Sequence, residues 1–551
     1  MAKAIRRPRR EQPEPTWDLV RKRNYVERLK HEKAPMEVID DLPDLIDQGY
    51  EEISEEDVVR LQWYGLYHDK PKVGHFMMRV KLPGGRLTPH KLRTIGRVSQ
   101  DFGGDYGELT TRQNIQLHGM KLNDLPRIFE TLKRAGLSTS GGCGDTVRNI
   151  TGCPVAGLAA DELFNARPVI EAAADFFYGN PDYCDLPRKH KITISCCPHQ
   201  CNAPEINCIS LMGLVREDRP GFAIKIGGGL STWPRLSSDM GVFVPVDDVI
   251  PVLRAIIDVW KEDLKYRMSR VKARMKFMVD DLGPEAYRER VEARLGYRLA
   301  DGEAPAPPAE EHDHTGIHGQ VQEGLYYAGF PVFLGLCSGT QMIQLADLAD
   351  EYGGEFRLTR RQNVILTDIP GDKLESVTTA VAGIGFPMEV NDLRGTSIAC
   401  TGEPFCNYSV GETKTKMAEI VEHMERVFGD QARGLRLNLD GCPHACAHHW
   451  IGDIGFQATT LRERGEGGER LRGYDLFLRG GLSGQAAIGQ PVLRRVPAES
   501  VHLYTERLFG AYLDQKTDDE TIQRFFHRHS DDELTAIATG NVVAAAATGE
   551  E

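Results

Sequence analysis

Apolar and polar positions follow one order of patterns along this chain, and that order is written twice. Phe76–Leu82 and Pro331–Leu336 read as apolar strands. Each is followed by a stretch of helical spacing, Leu87–Phe102 and Gly339–Tyr352, and then by a second strand built on Arg-Gln-Asn. Another helix follows, over Leu125–Ala135 and Asp372–Ile384. Strand–helix–strand–helix predicts an α/β or α+β module. After each copy comes a second module containing the cysteines and a Gly-Gly-Leu-Ser turn. A long helix over Val246–Asp281 is expected to close the first half. It would carry Arg267, Arg270 and Arg274 at i, i+3 and i+7, on one face.

The repetition extends to individual residues. Leu109-Thr-Thr-Arg-Gln-Asn-Ile-Gln-Leu117 returns as Leu358-Thr-Arg-Arg-Gln-Asn-Val-Ile-Leu366, an offset of 249. Cys197-Pro-His-Gln-Cys201 returns as Cys442-Pro-His-Ala-Cys446, an offset of 245, and Gly228-Gly-Leu-Ser231 as Gly480-Gly-Leu-Ser483, an offset of 252. Three matches in one order at nearly one offset mark a tandem duplication. Between the copies, Asp301-Gly-Glu-Ala-Pro-Ala-Pro-Pro-Ala-Glu-Glu311 reads as a linker. His312, His314 and His318 follow it; they could bind metal, but solvated linker residues are the expectation.

Composition narrows the class. With 551 residues the chain exceeds one ordinary core, and 41% hydrophobic with 27% charged residues is a folded composition. No apolar run reaches the ~20 residues that span a bilayer. The basic, proline-bearing start has no apolar segment after its charges, so no export signal is read there and a cytoplasmic protein is expected. A net charge of −13 argues against nucleic acid as the main partner and is read as a solubility feature. Twelve cysteines in a reducing compartment point to metal or redox chemistry rather than disulfides.

Cys400-x5-Cys406 and Cys442-x3-Cys446 offer two close thiolate pairs, suited to a cubane iron–sulfur cluster. A tetrahedral zinc site is the structural alternative, although its pairs are normally spaced by two to four residues. Together, Cys-x5-Cys and the later Gly-Cys-Pro-x-x-Cys resemble the signature of the assimilatory sulfite and nitrite reductases, over roughly residues 60 to 520 and including the duplication. The resemblance implies that Cys400, Cys406, Cys442 and Cys446 hold one 4Fe–4S cluster, and that Cys446 is also the axial ligand of sirohaem. It implies a pseudo-two-fold α+β (α/β) architecture: an extension over 1–65, ferredoxin-like halves over 66–140 and 321–390, cofactor domains over 141–300 and 391–530, a linker over 301–320 and a tail over 531–551.

Sirohaem carries eight carboxylates, so its pocket needs cations. By resemblance Arg112, Arg270, Arg274 and Lys276 bind it, whereas read alone the last three are a solvated helical stripe. Arg79, Arg148, Lys189 and Lys191 resemble the family's cage for substrate, where fixed cations stabilise developing charge and lysine donates protons. Lys189 and Lys191, two apart on a strand, share a face. In the family Lys-x-Lys accompanies sulfite and Lys-x-Asn nitrite, while the Arg148-Asn pattern leans to nitrite. Sulfite to sulfide is the expected reaction, nitrite to ammonia the alternative, and a non-catalytic zinc or iron–sulfur protein the remote one. Gly227-Gly-Gly-Leu-Ser231 lacks the context of a nucleotide loop, and no flavin or nicotinamide fingerprint is found. Electrons must then come from outside, and the resemblance implies reduced ferredoxin as the donor; a monomer is expected. Among the first-half cysteines (Cys143, Cys153, Cys196, Cys197, Cys201 and Cys208), Cys197-x3-Cys201 mirrors the cluster pair. It could hold a second metal with Cys143 or Cys153; a remnant of duplication, packed as small apolar thiols, is the expectation. Cys184 and Cys337 read as core.

Overall fold

The computed structural model describes residues 14–541, and in it the duplicated pattern becomes two copies of one pair of sheets. Most of the basic start, through residue 13, and the end of the tail past 541 lie outside the described residues. An antiparallel sheet orders Leu66–His68, His75–Val80, Ile115–Lys121 and Gly107–Leu109. Its counterpart orders Gly316–Gly319, Leu325–Phe330, Val364–Pro370 and Phe356–Leu358, and borrows Arg86–Leu87 from the first half as a fifth strand. Helices Pro89–Phe102 and Gly339–Asp350 cross in backbone contact. A Cβ on Gly96 would lie 2.7 Å from the Gly339 carbonyl oxygen, and one on Gly339 2.5 Å from that of Gly96, so glycine is required at both positions. One apolar core consequently runs through both copies, from Phe76 and Leu117 to Phe330 and Phe356.

The cofactor modules are sheets of six and five strands. Thr151–Gly152, Ile192–Ser195 and Ile209–Arg216 run parallel, then two antiparallel neighbours and the short Ala300–Asp301 follow. Ile398–Ala399, Leu437–Asp440 and Ile454–Arg464 repeat the parallel trio. The equivalence holds bond by bond: Cys153 N donates to Ile194 O as Cys400 N donates to Leu439 O. Ile206 and Leu230 of one module meet Ile451 and Leu482, their counterparts, in a small shared apolar cluster. The tandem α+β architecture expected from the repeat is the one observed. No described helix is long and apolar enough to cross a membrane.

Three local expectations are corrected. The single helix over 246–281 is two, Val249–Lys261 and Met275–Leu282, separated by short 3-10 turns. Arg267 is drawn away into a buried ion pair with Glu27, 2.8 Å, and Trp260 Nε1 donates to Ala273 O. Tertiary contacts thus override the helical period, and Arg267, Arg270 and Arg274 do not share a face. The strand expected over 331–336 lies earlier, at Leu325–Phe330, because Leu334 takes φ 56° in a tight turn. Lastly, the linker histidines are not simply solvated: His314 is 3% exposed, and Gly316–Gly319 is a paired strand.

The same connector buries Glu311, which meets Arg360 at 2.5 Å, Arg361 at 2.7 Å and Arg436 at 3.6 Å. Burial alone would raise its carboxyl, but Arg361, Arg360 and Arg436 hold it well below the usual carboxylate range. A carboxylate so depressed stabilises the fold fully above the pKa of a free glutamate, about 4.3. That contribution fades as pH falls toward the lowered value. Glu311→Gln leaves three guanidinium groups facing one another and is expected to cost about 3–5 kcal/mol in denaturant unfolding. Exposed Glu310→Gln is the control, expected to cost little.

Candidate functional site

The two Arg-Gln-Asn strands meet across the pseudo-two-fold axis. Gln113 and Gln362 both take positive φ, 54° and 64°. Gln113 Nε2 donates to Leu358 O at 2.9 Å, and Gln362 Nε2 to Leu109 O at 2.7 Å. Asn114 accepts from Leu82 N and Asn363 from Val332 N. One position earlier in the motif the symmetry fails. Arg361 is neutralised by Glu311, whereas its counterpart Arg112 bonds only neutral acceptors: Asn207 Oδ1 at 2.8 Å, Asn149 O at 2.6 Å and Ile192 O at 3.3 Å.

Arg112 is one of several cations without a carboxylate partner among the described residues. Arg79 donates to Cys143 Sγ and Gln116 Oε1, Arg148 to the carbonyls of Gly142 and Gly144, and Arg274 to Cys208 Sγ. Lys189 and Lys191 lie ahead of strand Ile192–Ser195 rather than in it, and both charges act on Cys446. Burial, reinforced by Arg188 and Arg148, pushes Lys189 down to about 7. Burial with Arg112 and Lys189 nearby lowers Lys191 far below an ordinary lysine. Arg112 falls to about 10, by burial and the charges of Arg148 and Arg274. Buried like charges repel at a cost that a polyanion would remove. Three guanidinium Nε atoms, of Arg79, Arg112 and Arg274, are buried without a partner. These donors fit a ligand rich in carboxylates.

The remaining two cations are already engaged. Arg270 shares Asp145 with Arg188, at 3.5 and 2.8 Å. Lys276 Nζ donates to the carbonyls of Gly229, Leu230 and Trp233, and so braces the Gly-Gly-Leu-Ser turn from behind.

The second module brings its cysteines to the edge of this cationic shell. Cys400 ends a strand and its Sγ accepts from Gly441 N at 3.2 Å, while Cys406 N bonds Gly402 O. Asp440 accepts from Ala447 N and His449 N, fixing the turn that reverses at Ala445, φ 55°, between Cys442 and Cys446. Cys446 O accepts from Thr111 Oγ1 of the first half at 2.8 Å. Burial and Asp440 push the Cys446 thiol up, and Lys189, Arg79 and Lys191 pull it back. Cys446 is therefore the cysteine at which the thiolate group and the cations meet. Beside it a buried chain links Arg79 through Gln116 to Thr401 and Glu108, adjoining His118. Burial would lower His118, but Asp69 and Glu108 hold it at about 9.

Sequence reasoning passed over Arg188, Asp145, Thr111 and the two asparagines that hold Arg112. Arg188 was visible beside Lys189-x-Lys191. The others carry no signal beyond their types, because their roles are set by residues distant in the chain.

A duplicated α+β chain that sets paired cysteines against uncompensated cations defines a class, a metal-cluster oxidoreductase acting on anions. The comparisons give the family. The family described as nitrite and sulphite reductase 4Fe-4S domain matches residues 143–299, and the nitrite/sulfite reductase ferredoxin-like half domain matches 68–135 and 318–383. "Sulfite reductase (ferredoxin) 1" of Mycolicibacterium paratuberculosis is 34% identical over 93% of this chain and 96% of its own. The chloroplastic "Ferredoxin--nitrite reductase" of Arabidopsis thaliana is 33% identical over 90% of this chain and 88% of its own. The solved NirA protein of Mycobacterium tuberculosis superposes with a TM-score of 0.89, at 32% identity, covering 94% of this chain and 99% of that one. The chain belongs to the nitrite and sulfite reductase family, whose members use sirohaem coupled to a 4Fe–4S cluster.

Proposed function

We propose that this protein is a ferredoxin-dependent sulfite reductase that takes sulfite to sulfide with six electrons. The observation that carries it is the set of buried cations without carboxylate partners, gathered at Cys446. Cys400, Cys406, Cys442 and Cys446 would hold the cluster, and Cys446 would also hold the sirohaem iron. Arg112 and Arg274 would hold the cofactor's carboxylates, with Arg270 and Lys276 supporting from behind Asp145 and the glycine turn. Bound there, sirohaem and the cluster would supply iron and reducing electrons for the oxyanion.

The chain's own part is electrostatic and protic. Arg79, Arg148, Lys189 and Lys191 bind sulfite and spread its negative charge over four donors. Sulfite oxygens leave as water, so each needs protons at the moment the bond to sulfur weakens. Lys189, with its lowered pKa, gives a proton more readily than an ordinary lysine and remains a hydrogen-bond donor after giving it. The buried Gln116–Thr401–Glu108–His118 chain lies behind Arg79, where it keeps that guanidinium oriented.

Lys189-x-Lys191 and the mycobacterial relatives favour sulfite, and the plant relatives support nitrite reduction to ammonia on the same residues. Reduced ferredoxin is proposed as donor on the relatives' names, and a cytoplasmic monomer is the working form. Steady-state assays with reduced ferredoxin, sulfite and nitrite in parallel test the reading. A higher kcat/KM for sulfite is expected. A clear preference for nitrite makes the second reading the right one.

A further inference from the structure

The first half keeps most of a cluster site that the assigned cluster does not use. Bond-for-bond equivalence places Cys153 where the repeat has Cys400, and the repeated motif places Cys197 and Cys201 where it has Cys442 and Cys446. The fourth counterpart is missing. Ala159 N bonds Val155 O just as Cys406 N bonds Gly402 O, so alanine stands in the place of Cys406.

Another residue has come in. His314, from the connector between the halves, sits 3% exposed with Nε2 3.2 Å from Cys201 Sγ. Its Nδ1 has no hydrogen-bond partner, so among the described residues the ring's one polar bond of that kind is to a thiol. A thiol is a weak hydrogen-bond partner and a strong metal ligand once deprotonated. The ligating atoms of Cys153, Cys201 and His314 all lie within 4.8 Å of one another. The thiols of Cys197 and Cys201 both act on that of Cys153, raising it. Cys197 also borders Asp161 and His199, which pair at 2.8 Å, and His199 stacks on His312 of the connector.

We propose that Cys153, Cys197, Cys201 and His314 form a second metal site, a tetrahedral Cys3His centre for one zinc ion. Spacing selects the ion. Zinc–sulfur bonds of about 2.3 Å place tetrahedral ligand atoms roughly 3.8 Å apart, within the 4.8 Å over which Cys153, Cys201 and His314 converge, with Cys197 the ligand that must move in. A cubane cluster must fit between its thiolates and holds them farther apart, and the loss of the Cys406 counterpart removes its fourth thiolate. Two to four residues is the normal spacing of a zinc pair, and Cys197-x3-Cys201 has it. The consequence is structural. His314 lies three residues after Glu311, so the ion pins to the first half the connector whose carboxylate neutralises Arg360 and Arg361.

The test is metal analysis of the untagged holoenzyme purified without chelator, with zinc K-edge absorption. About one zinc per chain is expected, with sulfur near 2.3 Å and nitrogen near 2.0 Å. Cys201→Ser and His314→Gln, in separate segments, should each lose the zinc while keeping the sirohaem band and the cluster iron. Cys442→Ser should do the reverse, losing iron and keeping zinc, which separates this site from the cluster assignment. Holoenzyme that holds no zinc and takes up none when it is added overturns the proposal. So does iron beyond that of cluster and sirohaem in place of zinc, or zinc that survives in both variants.

Discussion

Cys446→Ser is expected to abolish sulfite turnover, leaving activity at the level of donor and buffer alone. The residue sits where two requirements meet. It is proposed to complete the thiolate set of Cys400, Cys406 and Cys442, and the charges of Lys189, Arg79 and Lys191 act on its thiol. Serine keeps the size but is a hard, rarely ionised ligand, so it replaces a soft thiolate poorly at iron. The backbone should tolerate the change, because the turn is held by Asp440 and by Thr111 rather than by the side chain. Iron analysis and the visible spectrum check the cause: iron and the haem band should fall together with activity, while far-ultraviolet circular dichroism stays unchanged. A variant that retains full turnover would refute the ligand assignment.

Lys189→Met should be the next most damaging change, lowering kcat/KM by about 10²–10⁴-fold, the range for loss of a positioned general acid. The spectrum should not move, since methionine preserves volume and the residue is not assigned to iron. The pH dependence carries the sharper test. A lysine whose pKa is lowered is charged below that pKa and neutral above it, and sulfite binding and proton donation both need the charged form. Activity is therefore expected to fall as pH rises through the lysine's pKa. That limb should lie between about 7, its position in the protein alone, and the ordinary lysine value of about 10.4, toward which bound carboxylates draw it. In Lys189→Arg the limb should move out of the accessible range, because guanidinium stays charged. A limb at the same pH in both proteins would assign it to another group.

How the site came to be readable follows from its parts. The cysteine spacings and the Arg-Gln-Asn repeat were legible because metal ligation and pseudo-symmetry impose themselves on neighbouring residues. The cations were legible by type and motif alone. Arg112, read as a cofactor residue, and Arg361, its image, share the Arg-Gln-Asn motif and are opposite in situation. Only Glu311, fifty residues before Arg361, separates them, by neutralising one and not the other. The same distance effect broke the expected helix over 246–281, where Arg267 is drawn away to Glu27. It also turned the connector histidines inward: a proline- and acid-rich stretch looks solvated until its partners, Cys201 and a cluster of arginines, are brought to it by the fold.

By itself, then, the order of residues determined the duplication, the class of fold, the two cysteine pairs and the family, because periodicity and ligand spacing are properties of neighbours along the chain. The tertiary structure decided which copy of each motif is charged, which cations are left without a counter-ion, and which buried imidazole meets which thiols. Those depend on pairings between residues far apart along the chain, and the energy of a buried charge is set by whatever stands across from it.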